Sequence, residues 1–197
     1  YQEILAWLEQ DRAFASEMSR GVWALPDGGN YYNYRLAQMT TLAFTADEIH
    51  EIGLAEVERL HRLMEEIKNA VNFEGSLQDF FVFMREDDRF YFPNTDEGRQ
   101  DYLDLNNVYI DAITLKLPDY FGRLPKAQLE VRRVESFREQ AGAAQHYAAG
   151  TPDGSRPGVF YSHMSDMSTL PIFQLEDVAY HEGSPGHHMQ ISIQQEL

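Results

Sequence analysis

From Tyr1 to Leu117 the apolar residues recur at intervals of three and four, the period of amphipathic helices. Ile4, Leu5, Leu8, Phe14 and Met18 mark a first helical segment within residues 1–20, closed by Gly21 and the loop-forming Pro26-Asp27-Gly28-Gly29. Tyr31 to Thr41 predicts a short helix. Thr45-Ala46-Asp47-Glu48 is a capping box, in which the threonine hydroxyl accepts from the Glu48 backbone and the glutamate reaches back. The helix it opens carries Ile49, Ile52, Val57, Leu60, Leu63, Met64, Ile67 and Val71 on one face, over about 35 Å at 1.5 Å per residue. Gly75 ends it. Ser76 starts a shorter helix through Leu77, Phe80, Phe81 and Met84, and another long one follows Asn94-Thr95 as far as about Leu117. Pro118, Gly122 and Pro125 then break the helical pattern.

Beyond Pro125 the period changes. Leu129 to Val134 and Gly158 to Ser162 have the β-branched and aromatic content of short strands, with a Pro152-Asp153-Gly154-Ser155 turn between them. Ala141 to Ala149 is rich in small residues and fits no period. Phe173 onward returns to helix. The fold class expected is mainly α, a multi-helix domain with a small β element just before a histidine-rich stretch. Tyr1 to Leu8 and Met189 to Leu197 both read as helix interiors. Residues 1–197 are therefore expected to be part of one larger, mostly helical domain, truncated at both ends.

The histidine-rich stretch carries the chemistry. Three of the seven histidines fall within His181-Glu182-Gly183-Ser184-Pro185-Gly186-His187-His188. Neutral imidazole is a good zinc ligand, and a carboxylate beside a zinc-bound water is the usual general base for hydrolysis. The stretch reads as a lengthened H-E-x-x-H, the zinc-peptidase signature. In the ordinary signature the second histidine stands four residues after the first, on the same helix face. Here that position is Pro185, which lacks an N–H and whose ring clashes with the His181 carbonyl. A break at Pro185-Gly186 would absorb the two extra residues and return His187 to the ligand position. Without a break, His188 lies nearer the His181 face. Candidate metal ligands are thus His181 and His187, with His188 as the alternative, and Glu182 is the candidate base. Tyr161 or His163 is a candidate donor to the oxyanion, and the strand around Gly158 to Ser162 a candidate partner for an extended peptide backbone. His50, His61 and His146 read as surface or packing residues. Glu58-x-x-His61 would suit a di-iron bundle only with a second copy on another helix, and none is present.

Composition narrows this further. The formal charge is −16, from 32 acidic and 16 basic residues, which repels phosphate backbones and anionic lipid and disfavours a nucleic-acid role. No apolar run approaches the roughly 20 residues of a membrane span. With no cysteine, any metal must be held by His, Asp or Glu.

These residues also carry a family likeness. Ala179 to Gln190, with Ser155-Arg156-Pro157-Gly158-Val159-Phe160-Tyr161, Thr45 to Leu54 and Leu124-Pro125-Lys126, resembles the bacterial domain-of-unknown-function family 885, grouped with gluzincin-like metallopeptidases. The resemblance covers about residues 30–197. It implies a zinc peptidase-like site with a peptide substrate, one Zn2+, and His187 as the second ligand. It also implies a third protein ligand beyond Leu197, from a glutamate-glycine-tryptophan-alanine motif downstream. It points to a bacterial protein, with an exported or periplasmic location left open as one option. The competing expectation is a helical scaffold or peptide-binding domain that keeps the motif without catalysis.

Overall fold

The computed structural model describes residues 1–15 and 20–197, which form two compact units, Tyr1–Leu77 and Gln78–Leu197. Met18 of the first apolar stripe lies outside the described residues.

In the first unit, α1 (Gln2–Asp11) runs into a 3-10 turn at Arg12–Phe14, so Phe14 leaves the helical stripe. α2 (Gly28–Thr40) starts three residues earlier than the sequence pattern indicates, because Gly28 and Gly29 form its first turn rather than the preceding loop. α3 (Ala46–Ala70) has the expected capping box. Thr45 Oγ1 accepts from the Glu48 N–H, and Glu48 Oε2 accepts from the Thr45 N–H at 2.8 Å.

The second unit holds the core. After α4 (Leu77–Glu86), α5 (Asp96–Thr114) starts from Thr95, whose hydroxyl accepts from the Gly98 N–H, and stops short of the expected Leu117. Leu117 instead opens the single turn α6 (Leu117–Tyr120), with Pro118 in its first turn, where the missing N–H costs nothing. Three strands follow: β1 (Leu129–Arg133), β2 (His146–Ala148) and β3 (Gly158–Ser162). They form one sheet in the order β1-β3-β2, parallel between β1 and β3 and antiparallel between β2 and β3. β2 lies in the stretch that showed no period, and three residues are too few to display an alternation.

Register fixes the two faces of the sheet. Val131, Phe160 and Tyr147 align on one, and Arg132, Tyr161 and His146 on the other. The first face is the core face. Phe160 is fully buried with Ile110 of α5 and Ala179 of α7 (Leu175–Glu182), and Leu129 and Val131 pack around them. Tyr102, Met164, Met167, Leu170 and Leu175 form the adjoining cluster. Burying a side chain such as Phe160 is worth about 1.5–3 kcal/mol. α5, β1 and α7 thereby become one rigid support, and α7 delivers His181 and Glu182 from its last turn. α8 (His187–Glu196) follows after the Gly183–Gly186 break. The mainly helical class with a small β element is what the chain adopts.

Candidate metal centre

Pro185 does break the helix. α7 ends at Glu182, the Ser184–Pro185 peptide is cis, and α8 begins at His187. The freed backbone groups are satisfied across the break: Gly183 N–H donates to Ala179 O at 2.9 Å, Gly186 N–H to Tyr180 O at 3.1 Å, and His188 N–H to Gly183 O at 2.9 Å. Gly186 is needed here, because a Cβ would run into the His181 and Tyr180 carbonyls. The two-residue insertion is absorbed and the histidines meet.

His181 and His187 stand ring to ring, centroids 4.7 Å apart and nearly perpendicular. With Glu182 they present one ligand atom each within 4.8 Å of one another, the one such group of His and acidic side chains among the described residues. Glu182 is buried although His181 beside it is exposed; its Oε1 lies 3.9 Å from His181 Nε2. Its Oε2 is buried without a hydrogen-bond partner. A buried carboxylate oxygen left unpaired is costly, so the arrangement fits an additional cation or proton donor between the three side chains. Burial pushes the Glu182 carboxyl up from the ordinary carboxylate range, with His187, His181 and His146 partly offsetting it. Two imidazoles and a carboxylate, with no thiolate, are a donor set suited to zinc.

His188 is not part of this group. It is 4% exposed, its Nε2 meets Ala127 O at 3.0 Å and its Nδ1 meets the Tyr147 hydroxyl at 3.0 Å. A carbonyl can only accept, so Nε2 carries the proton and Nδ1 accepts from Tyr147. Both nitrogens are spent, and burial lowers the ring's pKa, keeping it neutral. Gly158 makes room for this bond: a Cβ there would stand 2.7 Å from His188 Nδ1 and against the Tyr147 hydroxyl. Together with Lys126 N–H donating to Glu196 at 2.7 Å, the His188 Nε2–Ala127 O bond ties α8 at both ends to the segment before β1. The residue next to the candidate ligand is thus an anchor.

Tyr161 and His163 are not among the residues that line the clefts beside Glu182. Tyr161 stacks on His146, centroids 5.3 Å apart, with the Arg138 guanidinium 5.8 Å over its ring. His163 accepts from the Gln140 N–H at its Nδ1, and its ring is 5.5 Å from His146. The residues that share a cleft with Glu182 and His187, about 240 Å³ in volume, are Gln145, His146, Tyr147 and Ile191. A second cleft of about 330 Å³ continues from Gln145 and Glu182 past Gly142 to His181. His146 and Tyr147 were not visible as site residues in the sequence, and only their place beside the central strand reveals them. The expectation that β3 pairs with a substrate is corrected. β3 has β1 on one side and β2 on the other, and β2, the strand on the cleft, has no further strand beside it among the described residues.

The family model described as "Bacterial protein of unknown function (DUF885)" matches residues 1–197. The chain belongs to this bacterial family. Among solved structures it is similar to "The crystal structure of the putative lipoprotein from Colwellia psychrerythraea", with 32% identity and a TM-score of 0.85. That similarity covers 100% of this chain and 34% of the other, so the chain spans about a third of its neighbour's length. No curated protein matches it. Among the described residues no helix is long and apolar enough to cross a membrane.

Proposed function

We propose that this DUF885 chain carries the active-site helices of a zinc-dependent peptidase of the gluzincin-like kind. The observation that carries the reading is the meeting of His181, Glu182 and His187 around the unpaired Glu182 Oε2. His181 and His187 would hold the zinc, and the third protein ligand of a catalytic site is proposed to come from a part of the full-length protein other than residues 1–197. Zinc so held supplies Lewis-acid polarisation of a carbonyl and lowers the pKa of water to about 7.

The chain's own residues do the rest. Glu182 takes a proton from the attacking water and returns it to the departing amine, so that water and one peptide bond give a carboxylate and an amine. Its raised pKa, set mainly by burial, suits a group that must both accept and release a proton. The two clefts meeting at Gln145 and Glu182 leave room on both sides of the carboxylate, as a chain continuing past the scissile bond requires. The outer edge of β2 borders that space and offers backbone groups to an extended peptide. The lipoprotein name of the Colwellia neighbour supports an exported location for this chain as well.

The test is Glu182→Gln in the full-length protein. Zinc content measured by elemental analysis stays near that of the wild type, while cleavage of oxidised insulin B chain falls by about 10³-fold or more. A Glu182→Gln protein that cleaves at the wild-type rate removes the reading. One that loses zinc makes Glu182 a ligand rather than the base.

A further inference from the structure

We infer that His146 is the residue that contacts the substrate from the strand side of the cleft. Its ring N–H donates to the carbonyl oxygen of the scissile peptide, and Tyr161 positions the ring to do so. The inference rests on the peptidase reading above and adds to it the donor that polarises the carbonyl opposite Glu182.

The histidines around the centre differ in what their nitrogens do. His181 and His187 each bring one ligand atom into the group with Glu182, and the nitrogens of His188 are both consumed inside the protein. His146 is the odd one. It is exposed, it lines the cleft with Glu182 and His187, and neither ring nitrogen bonds to another described residue. Its ring is nevertheless held. Tyr161 is its cross-strand partner and stacks on it at 22° between planes, and His163 flanks it. Tyr161 is in turn backed by Arg138 over its ring and by Arg132, its register partner on β1. Packing thus fixes the ring without using its polar atoms. A donor held this way needs no reorganisation when charge develops on a carbonyl oxygen, which is the condition for effective oxyanion stabilisation. The position also agrees with the outer edge of β2, since His146 is the strand's first residue and a backbone laid along that edge passes it.

The experiment uses the zinc-loaded full-length protein and oxidised insulin B chain, with kcat, KM and zinc content read for each variant. His146→Ala lowers kcat about a hundredfold, with KM within about threefold and zinc unchanged. His146→Gln, whose amide still donates, recovers part of the loss. Tyr161→Ala costs about tenfold by loosening the ring, while Tyr161→Phe, which keeps the stacking face, stays closer to the wild type. The double variant His146→Ala/Tyr161→Ala is no slower than His146→Ala alone, because Tyr161 acts only through His146. Wild-type kcat in a zinc-replete His146→Ala protein overturns this inference and leaves the role of Glu182 standing. An active Glu182→Gln protein removes the peptidase reading, and this inference with it.

Discussion

α3 and α5 are built from the same sequence signals and end in different surroundings. Each starts from a threonine whose hydroxyl accepts from the backbone three residues on, and each repeats apolar residues at helical spacing. α5 buries Tyr102, Asn106 and Ile110 against β1 and α7. α3 buries only Lys68, while Ile52, Val57, Leu60 and Ile67 are between 41% and 57% exposed. Its helix is supported locally, by its cap and by ion pairs such as Arg59–Glu56 and Arg62–Glu66 along its surface. Such exposed pairs are screened by solvent and each contributes little. Periodicity decides that a segment is helical and which face is apolar. What lies against that face is decided elsewhere in the chain.

The largest contrast this predicts is between core truncations in the two units. Phe160→Ala removes a fully buried ring from between α5, β1 and α7 and costs about 3–5 kcal/mol. Ile52→Ala, at a position 48% exposed, costs within about 0.5 kcal/mol. Urea unfolding of the full-length proteins measures both. A cost at Ile52 near that at Phe160 would break the comparison, because other parts of the protein would then cover α3 as the sheet covers α5.

The second unit also depends on a long-range polar tie that has no counterpart in α3 among the described residues. Glu139, with its side chain 3% exposed, accepts from Arg133 Nε at 2.8 Å and Nη2 at 2.7 Å, and from the Met164 N–H at 2.8 Å. Chiefly through the Arg133 hydrogen bonds, its carboxyl is held below the ordinary value. A depressed folded pKa gives stability that is present above the unfolded carboxylate pKa and lost as pH falls through the folded one. Glu139→Gln should therefore cost about 1–2 kcal/mol at pH 7, toward the lower figure because Arg133 is 34% exposed and screened by solvent. The wild type's advantage should disappear on acidification below the ordinary carboxylate range. Urea midpoints of both proteins from pH 7 to pH 3 check this, and an advantage that persists unchanged at low pH would remove the tie from the account.

The same division explains what could be read from the residues. The cap at Thr45, the start of a helix after Thr95, the strand content of β1 and β3, and the break at Pro185-Gly186 all rest on residues close in the chain, so the sequence shows them. The choice between His187 and His188 depends on Ala127 O and the Tyr147 hydroxyl, 61 and 41 residues away. The Pro185-Gly186 break already favours His187 locally, but no local pattern encodes the anchoring of His188 by these distant partners. β2 is held almost wholly by its pairing with β3, so neither the strand nor His146 and Tyr147 on it stood out. In the sequence Tyr161 is a candidate because its hydroxyl could donate to an oxyanion. Its role as the support of another ring depends on a cross-strand register that only the assembled sheet defines.

The smallest effect sharpens the comparison most finely, because it changes the same chemical group in both helices. Thr45→Ala and Thr95→Ala each delete one cap bond, worth about 1 kcal/mol. In α5 the first turn is held by more than its cap, since Gly98 and Tyr102 are buried and Arg99 Nε donates to Met164 O at 2.8 Å. Loss of the cap there is expected to lower the stability of the whole unit while leaving the turn ordered. In α3 no buried residue among the described ones holds the first turn, so the same loss should appear as local fraying. Amide hydrogen exchange distinguishes the two outcomes. Thr45→Ala should speed exchange at Glu48 to Ile52 with little change elsewhere, and Thr45→Ser should restore protection. Equal, unit-wide acceleration in both variants would mean that α3 is as firmly packed as α5, and the contrast between them would fall.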